Sequence, residues 1–239
     1  MVDRLPDAAK KGRGAVSNTS GRFEPHSRIA VDDGWGSALA VDDDLPALRT
    51  TVTDELPKTV ITRNQSPDVP FDRSLNPYRG CEHGCVYCFA RPTHAYQGLS
   101  AGLDFETRLF AKPDAARLLA DELRKPGYRP ATLAMGTNTD PYQPVERTRR
   151  ITRSVLEVLA ECNHPVGIVT KSNLVLRDLD ILSAMAAKGL VSVAISMTTL
   201  DPVLARGMEP RAPTPARRLA AIAGLKGAGV PVAVMVAPV

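Results

Sequence analysis

Apolar runs of strand length alternate with helical patterns along the second half of the chain. The apolar runs cover 131–137, 166–172, 190–199 and 230–239, and the helical patterns cover 113–125, 150–162, 176–189 and 214–229. Parallel strands need crossover connections, which are usually helices and almost always right-handed. The alternation therefore predicts βα units that form a parallel sheet buried on both faces. The pattern is compatible with an open sheet and with a closed barrel.

The two ends of the chain differ from this regular part. Residues 1–57 mix Gly, Ser, Asp and Pro without a sustained period, which predicts a poorly ordered N-terminal extension. Residues 58–239 form the predicted core domain, and 58–65 add a short strand at its start. The chain stops at Val239 inside an apolar run, where a sheet would expose a long hydrophobic edge. We therefore expect a sequence truncated at its C-terminus.

Composition restricts the classes of protein to be considered. No run approaches the roughly 18 apolar residues of a membrane helix, and the N-terminus lacks the apolar core of a signal peptide. These features predict a cytoplasmic protein without a membrane partner, in which clustered cysteines bind metal more often than they form disulfides. A net charge of +4 allows nucleic acid as a partner but does not require it.

Three of the four cysteines lie close together in a C-x3-C-x2-C motif formed by Cys81, Cys85 and Cys88. We call residues 80–89 the cysteine loop. Gly80 and Gly84 in this loop permit the positive φ and close backbone approach of a tight wrap. Thiolate ligands select zinc, Cu(I) or iron–sulfur clusters. A 4Fe–4S cluster held by three cysteines alone would keep one iron open for chemistry.

A fourth protein ligand would change this interpretation. Structural zinc sites are closed by four ligands, and His83 or His94 is near enough in sequence to complete a Cys3His site. The spacing of the cysteines leaves that alternative open. Cys162 stands at the end of a mostly apolar helical pattern, where we expect a small buried thiol that binds no metal.

The neighbours of the cysteines carry a resemblance to a known family. With Tyr87 before the last cysteine, the motif resembles the signature of radical S-adenosylmethionine (radical SAM) enzymes. The longer stretches "NPYRGCEHGCVYC", "LDFETRLFAKP" and "GTNTDPYQPVER" look like a bacterial group related to spore photoproduct lyase, and the resemblance runs from about Pro67 to the C-terminus. It implies a partial (β/α)6 barrel whose first strand is "SLNPYRG" and which is cut off after about the fifth strand.

The resemblance also implies a chemistry. The open iron of a 4Fe–4S cluster on the three cysteines would bind S-adenosylmethionine, and a one-electron reductant such as flavodoxin or ferredoxin would reduce the cluster. Reductive cleavage would release methionine and a 5′-deoxyadenosyl radical that abstracts hydrogen from an unknown substrate. The protein would fix the cofactor and exclude solvent and stray donors.

Further positions match cofactor contacts of this family. The resemblance gives Tyr87 and Ala237 a place near the adenine, Thr139 and Asp140 near the methionine amino group, Lys171 near the carboxylate, and Ser196 near the ribose or carboxylate. The last five follow or end predicted strands, where parallel βα folds collect their sites. Turn formation would explain Thr139 and Asp140, and core packing would explain Tyr87. For Glu209 and Arg211 we expect an exposed pair before a helix.

One position departs from the pattern of the repair enzymes. Photoproduct lyases carry a hydrogen-donating cysteine just after the second strand, and Thr137 occupies the matching place. A threonine O–H is a far poorer hydrogen-atom donor than a thiol, which argues against repair of spore photoproduct. The sequence thus favours a radical SAM enzyme of unknown substrate. The alternatives are a non-catalytic zinc- or iron–sulfur-binding module acting on nucleic acid, and photoproduct lyase-like repair.

Overall fold

A computed structural model describes residues 9–27 and 48–237 of the chain. In this part the strands are β1 (Thr51–Asp54), β2 (Ile61–Arg63), β3 (Arg73–Leu75), β4 (Tyr78–Arg79), β5 (Arg108–Ala111), β6 (Leu133–Met135), β7 (Val166–Thr170), β8 (Val191–Ser196) and β9 (Val232–Met235). The α-helices are α1 (Asp104–Thr107), α2 (Ala115–Leu123), α3 (Glu146–Arg149), α4 (Ile151–Glu161), α5 (Leu179–Ala186), α6 (Pro202–Met208) and α7 (Pro215–Gly227). Short 3-10 helices cover Arg91–Gln97 and Asn173–Asp178.

A six-stranded sheet forms the centre, with the strand order β2-β3-β6-β7-β8-β9. The edge strand β2 pairs antiparallel with β3, and every other neighbouring pair is parallel. Helices α2, α4, α5 and α7 lie in the connections between successive parallel strands. The predicted parallel βα architecture and the weak first strand are therefore confirmed. None of the described helices combines the length and apolarity that crossing a bilayer requires.

Helix α4 shows why these segments form helices on the sheet. Ile151, Val155, Leu156 and Leu159 are all buried, and their spacing places them on one side of the helix. They belong to one core cluster with Ile168 of β7 and other inward residues of the strands. Burial of each such side chain contributes about 2 kcal/mol relative to exposure. The apolar period that predicts the helix is thus also the surface that holds it against the sheet.

A second, three-stranded sheet lies beside the first and has the order β1-β5-β4. Strand β1 comes from the predicted poorly ordered extension and pairs parallel with β5. Residues 9–27 of the extension make long-range hydrogen bonds to residues 100–106, such as those that the amides of Gly14 and Ala15 donate to Glu106. No local period in the sequence predicts these contacts. Residues 1–8 and 28–47 of the extension lie outside the described residues.

Candidate functional site

A cavity opens at the carboxyl ends of the parallel strands, with an empty volume of about 500 Å³ that includes space open to solvent. Its wall contains the three motif cysteines and His83. The wall also contains residues 136–140 after β6, residues 169–171 at the end of β7, and Ser196 at the end of β8. Successive strands of a parallel sheet therefore deliver polar groups to the same place as the cysteine loop.

The backbone of the cysteine loop requires glycine at two positions. Gly80 and Gly84 have φ values of 72° and 67°, in the left-handed region that side chains disfavour. A Cβ on Gly80 would lie 2.7 Å from the carbonyl oxygen of Phe105, and one on Gly84 would lie 2.7 Å from Oε2 of Glu106. Conformation and close packing thus both demand glycine. The resulting turn brings the thiols of the loop into one cavity.

The protonation of these thiols depends on what binds them. Burial raises the pKa of Cys81 well above its ordinary value and that of Cys85 to about 12. The thiols of Cys81 and Cys85 are therefore neutral until a cationic centre favours the thiolate forms. In the described residues, no group of three His, Cys, Asp or Glu side chains is arranged around a single ion. In a 4Fe–4S cluster, by comparison, each thiolate ligand binds a different iron.

The two histidines near the motif differ in their surroundings. Nε2 of His94 lies 3.0 Å from the carbonyl oxygen of Arg108, and its ring packs edge-on against Phe105 with centroids 5.4 Å apart. Nδ1 of His83 is buried 3.3 Å from Oδ2 of Asp140. His94 is thus engaged elsewhere, whereas His83 lines the cavity with the three thiols, and its Nδ1 makes no hydrogen bond within the described residues.

Cys162 corrects one expectation. The sequence predicts a buried thiol, but Cys162 is exposed. It caps the C-terminal end of α4 with φ −81° and ψ 1°, so the chain already leaves the helix there and the apolar spacing no longer applies. This helix end precedes β7 and lies at the amino edge of the sheet, on the side opposite the cavity.

Asp140 ties the loop after β6 to its neighbours. Its Oδ1 accepts hydrogen bonds from the amide of Tyr142 at 2.8 Å and from Oγ1 of Thr170 at 2.7 Å. Its Oδ2 accepts from the amide of Lys171 at 2.7 Å and faces His83. Burial opposes ionisation, but His83 and these donors outweigh it and lower the pKa of Asp140 to about 2. The carboxylate therefore joins the cysteine loop to the end of β7.

This pKa predicts an acid dependence of stability. The folded value lies below the ordinary 3.8, so the ionised form stabilises the fold. The contribution is present in full above about pH 4 and is lost as the pH falls toward about 2. Asp140→Asn should lower the free energy of unfolding of the metal-free chain at neutral pH by about 2 kcal/mol. Urea unfolding across this range should show the difference from wild type shrinking on acidification, and a constant difference would contradict the prediction.

Thr139 contacts the cysteine loop directly. Its Oγ1 donates to the carbonyl oxygen of Gly80 at 2.7 Å and accepts from Nε2 of Gln143 at 2.9 Å. Oε1 of Gln143 in turn accepts the amide of Glu82 at 3.0 Å. Gln143 is fully buried and is not among the residues predicted from the sequence, although "TDPYQ" places it four residues after Thr139. These two side chains fix the path of the loop backbone.

Two of the predicted cofactor residues, Lys171 and Ser196, line the cavity, and Tyr87 packs beside Lys171. Nζ of Lys171 donates to Oγ of Ser196 at 2.9 Å and stands 5.6 Å above the ring centroid of Tyr87. These residues come from β7, β8 and the cysteine loop. Ala237 lies just past β9 and is exposed, and its carbonyl oxygen accepts from Oγ1 of Thr198 at 3.4 Å. The cofactor contacts of all four residues remain predictions.

Glu209 differs from its predicted exposure. It is 2% exposed, and its carboxylate accepts hydrogen bonds from Tyr87, Arg218 and, at 2.8 Å, Thr198. Burial works against ionisation, but the donors Arg218 and Tyr87 outweigh it and lower the pKa of Glu209. Arg211 keeps its exposed position and pairs with Glu82 at 2.9 Å. Arg218 is 1% exposed, and its place on the apolar face of α7 with Ala221 and Leu225 was an available signal.

Thr137 lies on the cavity wall. In the sequence it matches the position at which photoproduct lyases carry the hydrogen-donating cysteine. Its Oγ1 accepts from Nδ2 of Asn76 at 2.9 Å, and Oδ1 of Asn76 accepts from the amide of Asn138 at 3.0 Å. Gly136 has φ 93°, and a Cβ there would lie 2.1 Å from the carbonyl oxygen of Val169. The loop after β6 is therefore held against both the end of β3 and β7.

Residues 13–19, which we call the N-terminal strap, lie across the cysteine loop. The amides of Gly14 and Ala15 donate to the fully buried carboxylate of Glu106 at 3.0 and 2.8 Å. Arg91 donates to the same carboxylate at 2.6 Å. A Cβ on Gly14 would lie 1.8 Å from the carbonyl oxygen of Gly84. The strap is therefore in backbone contact with the loop that carries the thiols.

Comparison with known proteins places this geometry in a family. The sequence model of the Radical SAM superfamily matches residues 75–239. The uncharacterized protein Rv2578c of Mycobacterium tuberculosis is 45% identical over 171 residues, which cover 72% of this chain and 50% of the relative. The uncharacterized protein ORF301 of Acidianus two-tailed virus is 32% identical over 173 residues, covering 70% and 55%. The chain spans about half the length of the curated relatives it matches.

Solved structures share the fold. Spore photoproduct lyase complexed with dinucleoside spore photoproduct aligns with a TM-score of 0.55 and 18% identity, covering 78% of this chain and 51% of that one. A mutant of that enzyme with bound AdoMet and the dinucleoside spore photoproduct gives a TM-score of 0.54 at 18% identity, covering 78% and 50%. At this identity the likeness concerns the fold alone, and it confirms the predicted partial barrel.

Proposed function

The chain belongs to the radical SAM superfamily, and we propose that it is an enzyme that cleaves S-adenosylmethionine at a 4Fe–4S cluster bound by Cys81, Cys85 and Cys88. The observation that carries the proposal is the meeting of three thiols and the Lys171–Ser196 pair in one cavity. The thiols supply soft ligands for iron, and the ammonium and hydroxyl groups supply donors for a ligand carboxylate.

When bound, the reduced cluster and S-adenosylmethionine together supply a 5′-deoxyadenosyl radical, which abstracts hydrogen from a substrate. In this proposal the three cysteines bind iron as thiolates, and Lys171 and Ser196 orient the carboxylate of the methionine part. Thr139 and Asp140 hold the loop near its amino group. Tyr87 and Ala237 present backbone to the adenine.

The proposed chemistry also implies an electron donor and a location. A cluster of this type needs a one-electron reductant, and we propose a flavodoxin or ferredoxin for that role. Such carriers and reduced thiols are found together in the cytoplasm, which we propose as the location. Nucleic acid stays a candidate substrate class on account of the basic balance of the chain.

Repair of spore photoproduct is the weaker candidate. It takes support from the fold shared with spore photoproduct lyase. Return of a hydrogen atom to a repaired product would need a thiol other than the three motif cysteines, however. At the matching position the described cavity wall has Thr137. The hydroxyl of Thr137 is bound to Asn76 and is a poor hydrogen-atom donor. These observations favour a different substrate.

Anaerobic reconstitution with iron and sulfide tests the proposal. We expect about four irons per chain, an iron–sulfur absorption band, and a paramagnetic-resonance spectrum of the reduced cluster that changes when S-adenosylmethionine is added. Dithionite reduction should then yield 5′-deoxyadenosine. A spectrum that S-adenosylmethionine leaves unchanged, with no 5′-deoxyadenosine, would reject the proposal. Stoichiometric zinc binding with no iron–sulfur band would favour the non-catalytic module.

A further inference from the structure

A buried carboxylate, that of Glu209, lies next to Lys171, which lines the cavity with Ser196. Oε1 of Glu209 lies 3.7 Å from Nζ of Lys171 and accepts the hydroxyl of Tyr87. Glu209 follows α6, so it reaches the site from outside the strands that carry Lys171 and Ser196. The carboxylate of Glu209 therefore links Tyr87 of the cysteine loop to Lys171 at the end of β7.

Arg218 holds this carboxylate in place. It donates to Oε2 of Glu209, to the carbonyl oxygen of Ser196 at 3.0 Å and to that of Pro213 at 2.9 Å. A fully buried arginine is rare without such partners. Because Arg218 donates hydrogen bonds to both Glu209 and the end of β8, it fixes the carboxylate relative to the strand that carries Ser196.

The charges in this group do not cancel. Two cations, Lys171 and Arg218, face one carboxylate, Glu209. Arg218 is enclosed, whereas the side chain of Lys171 is 17% exposed and lines the cavity. The excess positive charge is therefore presented to the cavity through Lys171, where an anionic group can bind it.

We propose that Glu209 is a positioning residue that holds the ammonium group of Lys171, beside the ring of Tyr87, in the orientation that binds the carboxylate of S-adenosylmethionine. This inference rests on the proposed function. Glu209 touches neither thiols nor ligand in this role. It acts through Lys171. Without a partner, this long side chain with its several rotatable bonds would be distributed over many rotamers.

Electrostatics alone predicts the opposite effect of removing Glu209. Loss of a negative charge 3.7 Å from Lys171 would make the cavity more positive and strengthen binding of a carboxylate. Positioning predicts weaker binding, because Lys171 loses its partner and Tyr87 loses its acceptor. The sign of the change in affinity therefore separates the two effects.

The test measures the dissociation constant of S-adenosylmethionine by equilibrium dialysis on the cluster-loaded chain with the cluster oxidised, so that no turnover occurs. We expect Glu209→Gln to weaken binding about tenfold or more. Glu209→Gln combined with Arg218→Met removes the ion pair as a unit, so that no unpaired cation is buried, and should weaken binding similarly. Thermal melting of each variant establishes that it is folded, and the double variant serves if the single one is not.

A matched control and a double-mutant cycle exclude a general structural effect. Glu146 is also fully buried and accepts from a tyrosine, Tyr78, and an arginine, Arg177, but it does not line the cavity. Glu146→Gln should leave the dissociation constant unchanged. In a Lys171→Met background, Glu209→Gln should add no further loss, since its effect passes through Lys171.

The possible outcomes are distinct. Unchanged or tighter binding by the folded Glu209 variants, or a full additional loss in the Lys171→Met background, would overturn the positioning role. Failure of the wild-type chain to bind S-adenosylmethionine would instead overturn the proposed function and this inference with it. A tenfold loss confined to the Glu209 variants and absent from the Glu146 control would support the inference.

Discussion

Replacement of Cys81, Cys85 or Cys88 by alanine is expected to remove the iron–sulfur absorption band and to abolish formation of 5′-deoxyadenosine. Three thiolates are the fewest that can hold a four-iron cluster while leaving one iron for a ligand, so the loss of one leaves two irons without a protein ligand. His94 cannot substitute, because its imidazole is directed to the carbonyl oxygen of Arg108. We expect iron content to fall to near zero after desalting.

The fourth cysteine provides the matched control. Cys162 is exposed and lies at the opposite edge of the sheet, so Cys162→Ala should keep the iron content, the spectrum and the yield of 5′-deoxyadenosine of the wild type. Metal analysis, absorption spectroscopy and product chromatography on the four single variants make the comparison. Retention of the cluster by any motif variant, or its loss from Cys162→Ala, would show that the ligands are wrongly assigned.

The parts of the fold that follow a local period could be predicted from the sequence. Strands β6 to β8 and helices α2, α4, α5 and α7 lie within the predicted segments, because each buries apolar residues that the sequence displays directly. Strand β9 also lies within its predicted segment, although most of its residues are exposed. Helix α6 was overlooked, since Val203 and Leu204 are exposed and no apolar face marks it. A local signal was present, however: Asp201 caps this helix by accepting the amides of Val203 and Leu204, with Pro202 at its start.

Proximity between residues could be predicted where each residue lies at the end of a strand, and could not be predicted where partners come from far along the chain. Lys171 and Ser196 terminate adjacent strands, so the topology alone brings them together. The burial of Glu209 depends on Arg218 from the following helix and on Tyr87 of the cysteine loop, which is 122 positions away. Contacts over such a separation follow from the tertiary fold, and no motif within either segment contains them.

Gly14→Ala is expected to detach the N-terminal strap from the cysteine loop. The new Cβ would lie 1.8 Å from the carbonyl oxygen of Gly84. The Cβ is fixed to the backbone of residue 14 and the oxygen belongs to the backbone, so no side-chain rotation can separate them. Displacement would break the hydrogen bonds that Gly14 and Ala15 donate to Glu106 and would leave its buried carboxylate with fewer donors. We expect a loss of about 3 kcal/mol in the free energy of unfolding, as hydrogen bonds to a charged group are among the stronger ones.

The same displacement should expose the cysteine loop to solvent and oxygen. We expect the reconstituted Gly14→Ala protein to lose its iron–sulfur absorbance in air several times faster than the wild type, while the anaerobic iron content stays comparable. Gly21→Ala, just beyond the C-terminal end of the strap, is the control, because its Cβ would meet only ordinary contacts at 3.6 Å or more. Equal rates of loss in the two variants would show that the strap does not shield the loop. Urea unfolding of both variants measures the accompanying change in stability, and a Gly14→Ala protein as stable as Gly21→Ala would contradict the backbone contact itself.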